Sequence, residues 1–113
     1  MEIDAQELIR ERFKSRRVAI SLNQMDIAGF LGVDQSTVSK CEKGERQFTM
    51  GMLERSCALF GCKLSYFFDE TAHEQPFRSS FRTSSRKPED LNAIATIQKI
   101  ALNLLEMQEL ASR

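Results

Sequence analysis

The chain has 113 residues, of which 42% are hydrophobic, so its length and composition predict one compact domain with an appendage and a small core. Lysine and arginine together number 16, as do aspartate and glutamate, which gives a formal net charge of zero. No run of about 18 apolar residues is present, and the stretch MEIDAQELIRERF is too charged for a signal peptide. We therefore expect a cytoplasmic protein without a membrane span.

Cysteine and histidine are too few and too scattered for a metal site. The three cysteines, Cys41, Cys57 and Cys62, lack CxxC spacing, and His73 is the only histidine. We expect reduced core cysteines, no metal and no cofactor. The sequence also lacks a glycine-rich phosphate loop, and no serine or cysteine nucleophile has a histidine base. These features predict a protein that is not an enzyme.

The first predicted helix covers residues 4–19, with Leu8, Ile9 and Phe13 on its inward face. Its middle, residues 10–17 (RERFKSRR), contains five basic residues and one acid. This run is a local positive patch on a neutral chain. Such runs are most often solvated surface, and contact with DNA is the other interpretation. Part of this run is expected to serve structure.

Residues 22–44, LNQMDIAGFLGVDQSTVSKCEKG, have the spacing of two short helices joined by a tight turn. Asn23 is a good N-cap for the first helix, and Gly32 ends it because glycine tolerates a left-handed backbone. The inward stripe of this helix consists of Ile27, Ala28 and Leu31.

The second helix of the pair has Asp34 as its predicted N-cap and ends at Gly44. Only Val38 and Cys41 are apolar, so they form a narrow inward stripe. The outward face has hydrogen-bonding side chains and no carboxylate: Gln35, Ser36, Thr37, Ser39 and Lys40. A helix that lies in the major groove of DNA needs such donors and acceptors and no negative charge. A short polar surface helix is the alternative interpretation.

Two further helices complete the predicted domain. Thr49 caps the fourth helix, and Gly61 ends it. Its inward residues are Leu53, Cys57 and Phe60. Residues 63–68, KLSYFF, predict a last short helix that Ser65 caps, with Phe68 helping to close the core. No alternating strand pattern is present, so the predicted class is all-α.

Residues 69–89 form a predicted linker, rich in Ser, Arg, Thr and Pro and without helical periodicity. Within it, residues 75–88 contain four basic residues and no acid. One interpretation is an arm that lies on DNA. The other is a flexible tether whose two aromatics, Phe77 and Phe81, dock on the domain or on a second copy.

Residues 88–111 predict one long apolar helix with Pro88 in its first turn, and the tail is taken as residues 90–113. Such a helix needs a partner surface in water. It either packs on its own domain or pairs with the same helix of a second copy, which makes a homodimer. The predicted dimerisation residues are Ile94, Ile97, Ala101 and Leu104.

The stretch 22–44 resembles the helix-turn-helix of the lambdoid phage repressor and Cro family, also called the XRE family. The resemblance rests on Ala28, on Gly32 at the turn, on the inward pair of the second helix and on the closing 42–44 (EKG). It extends over about residues 5–68, the whole five-helix domain of that family. Cys41 departs from the usual Leu or Ile, although buried Cys behaves as a small hydrophobe.

The resemblance implies the roles of individual residues. By position in the family motif, Gln35, Ser36 and Lys40 contact DNA bases. The implied contacts to the DNA backbone come from Gln24, Thr37, Ser39, Lys43 and Arg46. Arg17 and Glu42 are implied to form a structural ion pair. The tail also resembles, more weakly, the tails of small repressors encoded beside ImmA/IrrE-type zinc metallopeptidases, which implies such a peptidase as a possible partner.

The sequence thus predicts an all-α protein with a helix-turn-helix domain at 1–68, a linker at 69–89 and a dimerisation helix at 90–113. The expected function is sequence-specific binding of double-stranded DNA by a dimeric transcription repressor that recognises an inverted-repeat operator through residues 35–42. The alternative is an antitoxin or adaptor, a protein-interaction module that keeps the helix-turn-helix as a scaffold.

Overall fold

The computed structural model describes residues 4–69 and 87–111. These residues contain helices and no strand, which confirms the all-α prediction. The helices are α1 (Ala5–Ala19), α2 (Gln24–Leu31), α3 (Gln35–Lys43), α4 (Met50–Phe60), a 3-10 helix (Leu64–Phe67) and α5 (Pro88–Ala111).

Local capping defines the helix-turn-helix. Asn23 and Asp26 form a capping box at the start of α2: the Asn23 side chain accepts from the Asp26 backbone N–H at 2.8 Å, and the Asn23 N–H donates to the Asp26 carboxylate at 3.0 Å. Gly32 ends α2 with a left-handed φ of 74°. Only a residue without a Cβ adopts this conformation freely, so the chain turns sharply here into α3.

One hydrophobic core joins the five helices of the domain. Its most deeply buried side chains come from every helix of residues 5–67: Phe13, Ile27, Val38, Cys41, Leu53 and Phe67. The rings of Phe13 and Phe60 meet edge to face at 5.3 Å between centroids. This packing fixes the position of α3 relative to α1 and α4.

Asp34 is the N-cap residue of α3, as predicted, although its side chain makes no capping hydrogen bond. Two other local predictions were wrong. The fifth helix of the domain is a 3-10 helix that starts after Lys63, so Ser65 lies inside it and does not cap it. Phe68 follows its last turn and is 44% exposed, because Tyr66 and Phe67 already fill the core beside it.

The helix α5 packs on its own domain through one face. Leu91, Ala95 and Gln98 are buried against α4 and α2. The ring of Pro88 lies so close to Gly29 of α2 that a methyl group there would be 3.4 Å from its Cγ. This face of α5 therefore packs on its own domain, which is one of the two interpretations of the tail given above.

Buried Gln98 fastens α5 to the end of α4. Its side-chain amide donates to the backbone carbonyls of Ala58 at 2.8 Å and Leu59 at 2.7 Å. Those carbonyls lie in the last turn of α4, where helical backbone acceptors lack partners within their own helix. Gln98 thus supplies hydrogen bonds that the end of α4 would otherwise lack.

Residues 70–86, which contain His73 and most of the predicted linker, lie outside the described residues. Residues 88 and 89 of that linker belong to the first turn of α5. Within 4–69 and 87–111, no helix combines the length and the apolar character that crossing a membrane requires.

Candidate nucleic-acid interface

The helix α3 is held by its inner face and presents its outer face to solvent. Val38 and Cys41 are fully buried. Ser36, Lys40 and Lys43 follow one another at spacings of four and three residues, so they share one face, and all three are exposed. This face is a straight polar surface with two positive charges.

The single carboxylate within α3 is neutralised inside the domain. Glu42 forms a two-pronged ion pair with Arg17 of α1, with N···O distances of 2.8 and 3.0 Å. Both side chains are 10% exposed or less. Arg17 also donates to the carbonyl oxygen of Leu22 at 2.8 Å. The pair ties α1 to the end of α3 and removes the negative charge of Glu42 from the outer surface.

A hydrogen-bonded chain connects this ion pair to the start of α3. The Gln24 amide donates to the Glu42 carboxylate at 3.2 Å. The Gln35 amide in turn donates to the Gln24 amide oxygen at 2.8 Å. Gln35 uses one amide hydrogen in this bond, so its amide oxygen and its second amide hydrogen can bond another partner. The chain thus orients Gln35, an effect that sequence spacing does not reveal.

The residues implied to contact DNA lie on and around this one surface. Gln35, Ser36 and Lys40, the implied base readers, are exposed on α3. The implied backbone contacts surround them: Lys43 and Arg46 are exposed, and Gln24, Thr37 and Ser39 are half-buried. The loop that carries Arg46 is held by backbone hydrogen bonds from residues 45 and 46 to the carbonyl of Lys40.

Two exposed acids border the same surface. Asp34 lies before α3 and Glu45 follows it. Lys40, Lys43 and Arg46 bring three positive charges to the same region, so the local balance is positive although the whole chain is neutral. The basic surface needed to bind phosphates is thus small and lies at the C-terminal half of α3.

Most of the basic run 10–17 serves the fold. Arg17 pairs with Glu42, and the Arg12 guanidinium donates to the carbonyl oxygens of Tyr66 and Asp69. Arg12 and Arg16 also stack on the Tyr66 ring, 4.5 and 5.0 Å from its centroid. Arg10 is different, because its guanidinium lies against Gly44 at the end of α3, beside the loop with Arg46.

The three thiols are buried and free. Burial raises the pKa of Cys41. The hydrogen bond between Cys57 and Cys62, followed by burial, raises the pKa of Cys57, and the same bond lowers the pKa of Cys62 against the effect of burial. Among the described residues, no three histidine, cysteine or acidic side chains cluster as metal ligands would.

The comparison with known families defines the class of the protein. A family model described as helix-turn-helix domain matches residues 8–65, just over half of the 113 residues. No curated protein and no solved structure matches the chain. The matched region contains α1 from Leu8 onward, all of α2 to α4 and the first half of the 3-10 helix, including the whole surface described above.

The chain therefore belongs to the helix-turn-helix domain family, and the domain is of the XRE-like type. The family is one of DNA-binding proteins, typically without enzymatic activity, and its members commonly regulate transcription.

Proposed function

We propose that the protein is a sequence-specific transcription regulator, a cytoplasmic dimeric repressor that binds an inverted-repeat operator through α3. The observation that supports this most strongly is the absence of a free carboxylate on α3. The one carboxylate of the helix, Glu42, is paired with Arg17 inside the domain. The exposed side chains that remain on α3 are donors, acceptors and cations. A major-groove helix has this composition, because it must match base edges beside two rows of phosphates.

The proposed base readers are Gln35, Ser36 and Lys40. A glutamine with a free donor and a free acceptor matches the paired acceptor and donor of adenine, and lysine matches the two acceptors of guanine. Held by Gln24, Gln35 would meet its base in a preset orientation. The proposed backbone contacts are Gln24, Thr37, Ser39, Lys43 and Arg46, which set the register and carry no sequence information themselves.

Dimerisation is part of the proposal because one helix-turn-helix reads few base pairs. Two copies on a two-fold axis read half-sites about one helical turn, roughly 34–36 Å, apart. Their binding energies then combine on one operator. A partner of the ImmA/IrrE-type metallopeptidase class is also proposed, on the weaker resemblance of the tail alone.

The test is a selection of bound duplexes from a pool with a randomised central segment. We expect the selected duplexes to share an inverted repeat. The protein should bind that repeat at least about 10³-fold more tightly than a scrambled duplex at physiological salt. An antitoxin or adaptor would instead bind all duplexes weakly and alike, and this result would overturn the proposal.

A lysine pair provides the matched control for this test. Lys40→Ala removes a positive charge from the outer face of α3, whereas Lys99→Ala removes one from an exposed position of α5. We expect the first substitution to weaken binding to the selected repeat by about 10-fold or more and the second to leave it unchanged. Equal losses would show that binding depends on total charge and not on α3.

A further inference from the structure

The helix α5 has two apolar faces, and its own domain covers only one of them. Leu91, Ala95 and Gln98 form the inner face. The large apolar side chains on the other side are exposed by about half or more: Ile97 by 47%, Ile100 by 56%, Leu104 by 56% and Met107 by 65%. An outer row of this kind is an unpartnered surface in water.

The outer row has the spacing of a coiled coil. With Ala93 and Ala111 at its ends, the row runs Ala93, Ile97, Ile100, Leu104, Met107 and Ala111, with alternating intervals of four and three residues. A row with this alternation stays on one side of a helix and packs knobs into the holes of a facing helix. We call these six residues the outer seam. It is about 27 Å long at 1.5 Å per residue.

The four residues that the sequence predicts for dimerisation do not all lie on the same face of α5. Ile97 and Leu104 belong to the outer seam. Ile94 is half-buried and packs against the core of its own domain, and Ala101 lies between the two faces. The sequence could not separate the faces, because apolar residues occur on both sides of α5.

We propose that the outer seam binds the outer seam of a second copy of this chain. This rests on the proposed function, since it names the surface that would join two DNA-reading domains.

The seam is suited to pairing with itself. Its small residues stand at both ends and its large residues in the middle, so two copies match small with small and large with large in either relative direction.

Charge also favours a second copy over a different partner. The positions that flank a seam contact their counterparts on the facing helix, and like charges there would repel in a self-pair. Here the flanking residues on both sides are uncharged: Ile94, Thr96, Ala101, Asn103, Gln108 and Leu110. The acids Glu106 and Glu109 instead lie near Lys63 of the same domain, at 3.9 and 4.0 Å.

The size of the seam predicts a reversible dimer. A strip about 27 Å long and about 10 Å wide covers roughly 270 Å² on each copy, against about 800 Å² per partner in a stable complex of standard size. We therefore expect the free protein to exchange between monomer and dimer, with two half-sites on one duplex favouring the dimer.

The experiment measures self-association of the full chain by sedimentation equilibrium in the absence of DNA. Leu104→Asp places a carboxylate in the middle of the seam at a side chain that is more than half exposed. Lys99→Asp places the same group on the same helix away from the seam. Leu104→Gln is a milder seam variant, and circular dichroism checks that all three variants keep their helices.

We expect a concentration-dependent dimer in the wild type and in Lys99→Asp, and a dissociation constant at least about 10-fold higher in both Leu104 variants. A wild type that stays monomeric up to about millimolar concentration would overturn the proposal. So would Leu104 variants that dimerise as the wild type does, or a Lys99→Asp variant that loses dimerisation equally.

Failure here is distinguishable from failure of the proposed function. A duplex that contains only half of the selected repeat engages one domain and does not need the seam. If the seam proposal fails alone, the protein still prefers this half-repeat to a scrambled duplex of equal length. If the proposed function fails, that preference is absent whatever the state of association.

Discussion

At the scale of residues, four side chains connect the body of the domain to the proposed DNA surface. An unbroken chain of hydrogen bonds runs from Arg17 of α1 to Glu42 near the end of α3, then to Gln24 at the start of α2, and finally to Gln35, the first residue of α3. The chain has a structural role at its buried end and a proposed recognition role at its exposed end. Its two ends can therefore be tested by different measurements.

The buried end is tested by Glu42→Gln, which removes the charge that compensates Arg17. Stranding one charge of a buried pair costs about 3–5 kcal/mol, so the midpoint of urea unfolding should fall markedly. The control is Glu45→Gln, which neutralises an exposed acid one turn away and should change the unfolding free energy by less than about 0.5 kcal/mol. Equal midpoints for the two variants would contradict the structural role of the pair.

The buried thiol of Cys41 predicts a dependence of stability on pH. Its pKa is raised by burial, so the folded state keeps the thiol proton while the unfolded chain begins to lose it near its usual pKa of about 8.5. This contribution is complete below that pH and is lost as pH rises further.

The measurement compares the unfolding free energies of the wild type and Cys41→Ala from pH 7 to pH 10. The variant lacks the thiol, and the other titrating groups are common to both proteins. We expect the stability advantage of the wild type to be constant below about pH 8.5 and to shrink above it by up to about 1.4 kcal/mol per pH unit. An advantage that is constant over the whole range would show that the thiol titrates freely in the folded state.

At the scale of elements, Gln98 joins α5 to the domain by two buried hydrogen bonds. Replacing it with leucine keeps a side chain of similar size and leaves the carbonyls of Ala58 and Leu59 without their partner. The loss should cost about 1–3 kcal/mol, and amide hydrogen exchange should become faster in the first half of α5. Lys99→Leu, at an exposed position of the same helix away from the outer seam, is the control and should change neither measurement. Unchanged exchange in Gln98→Leu would mean that apolar packing alone holds α5.

The helices of the domain were predictable because their sequence signals are local. Asn23, Gly32, Gly44 and Gly61 mark helix ends whose chemistry works within one turn, and the structure has ends at each of them. The inward stripe of Val38 and Cys41 was equally clear, since the rest of α3 is polar. Asp34 shows the limit of such signals: it stands at the right position, but its side chain makes no capping bond.

The role of α5 was less predictable because it depends on tertiary contacts. Its apolar residues surround much of the helix, and helical periodicity cannot say which of them meet the domain. Glutamine is usually an exposed residue, so its amide argued against burial at position 98. Gln98 is nevertheless 2% exposed, because α4 offers its amide two carbonyls. The link from Gln24 to Gln35 was hidden for the same reason, as it joins residues eleven apart on different helices.

At the scale of the whole molecule, docking of α5 joins the proposed DNA surface and the outer seam in one body. Cleavage of the chain within residues 75–85 should therefore leave α5 attached through its inner face. A protease site engineered there, followed by size exclusion after cutting, measures this directly. We expect the two fragments to elute together, and to separate more readily in Gln98→Leu. Fragments that separate at once in the wild type would show that the covalent connection is needed to hold α5.

The central claim is that α3 reads sequence, and the most direct test measures Gln35→Ala and Arg46→Ala on a panel of single-base-pair changes in the selected repeat. We expect Gln35→Ala to lose about 1–3 kcal/mol of discrimination at one base pair of each half-site, with little effect on the preferences elsewhere. Arg46→Ala should weaken binding to every duplex alike and reduce the salt slope by about one. Two variants with the same uniform loss across the panel would contradict base reading by α3.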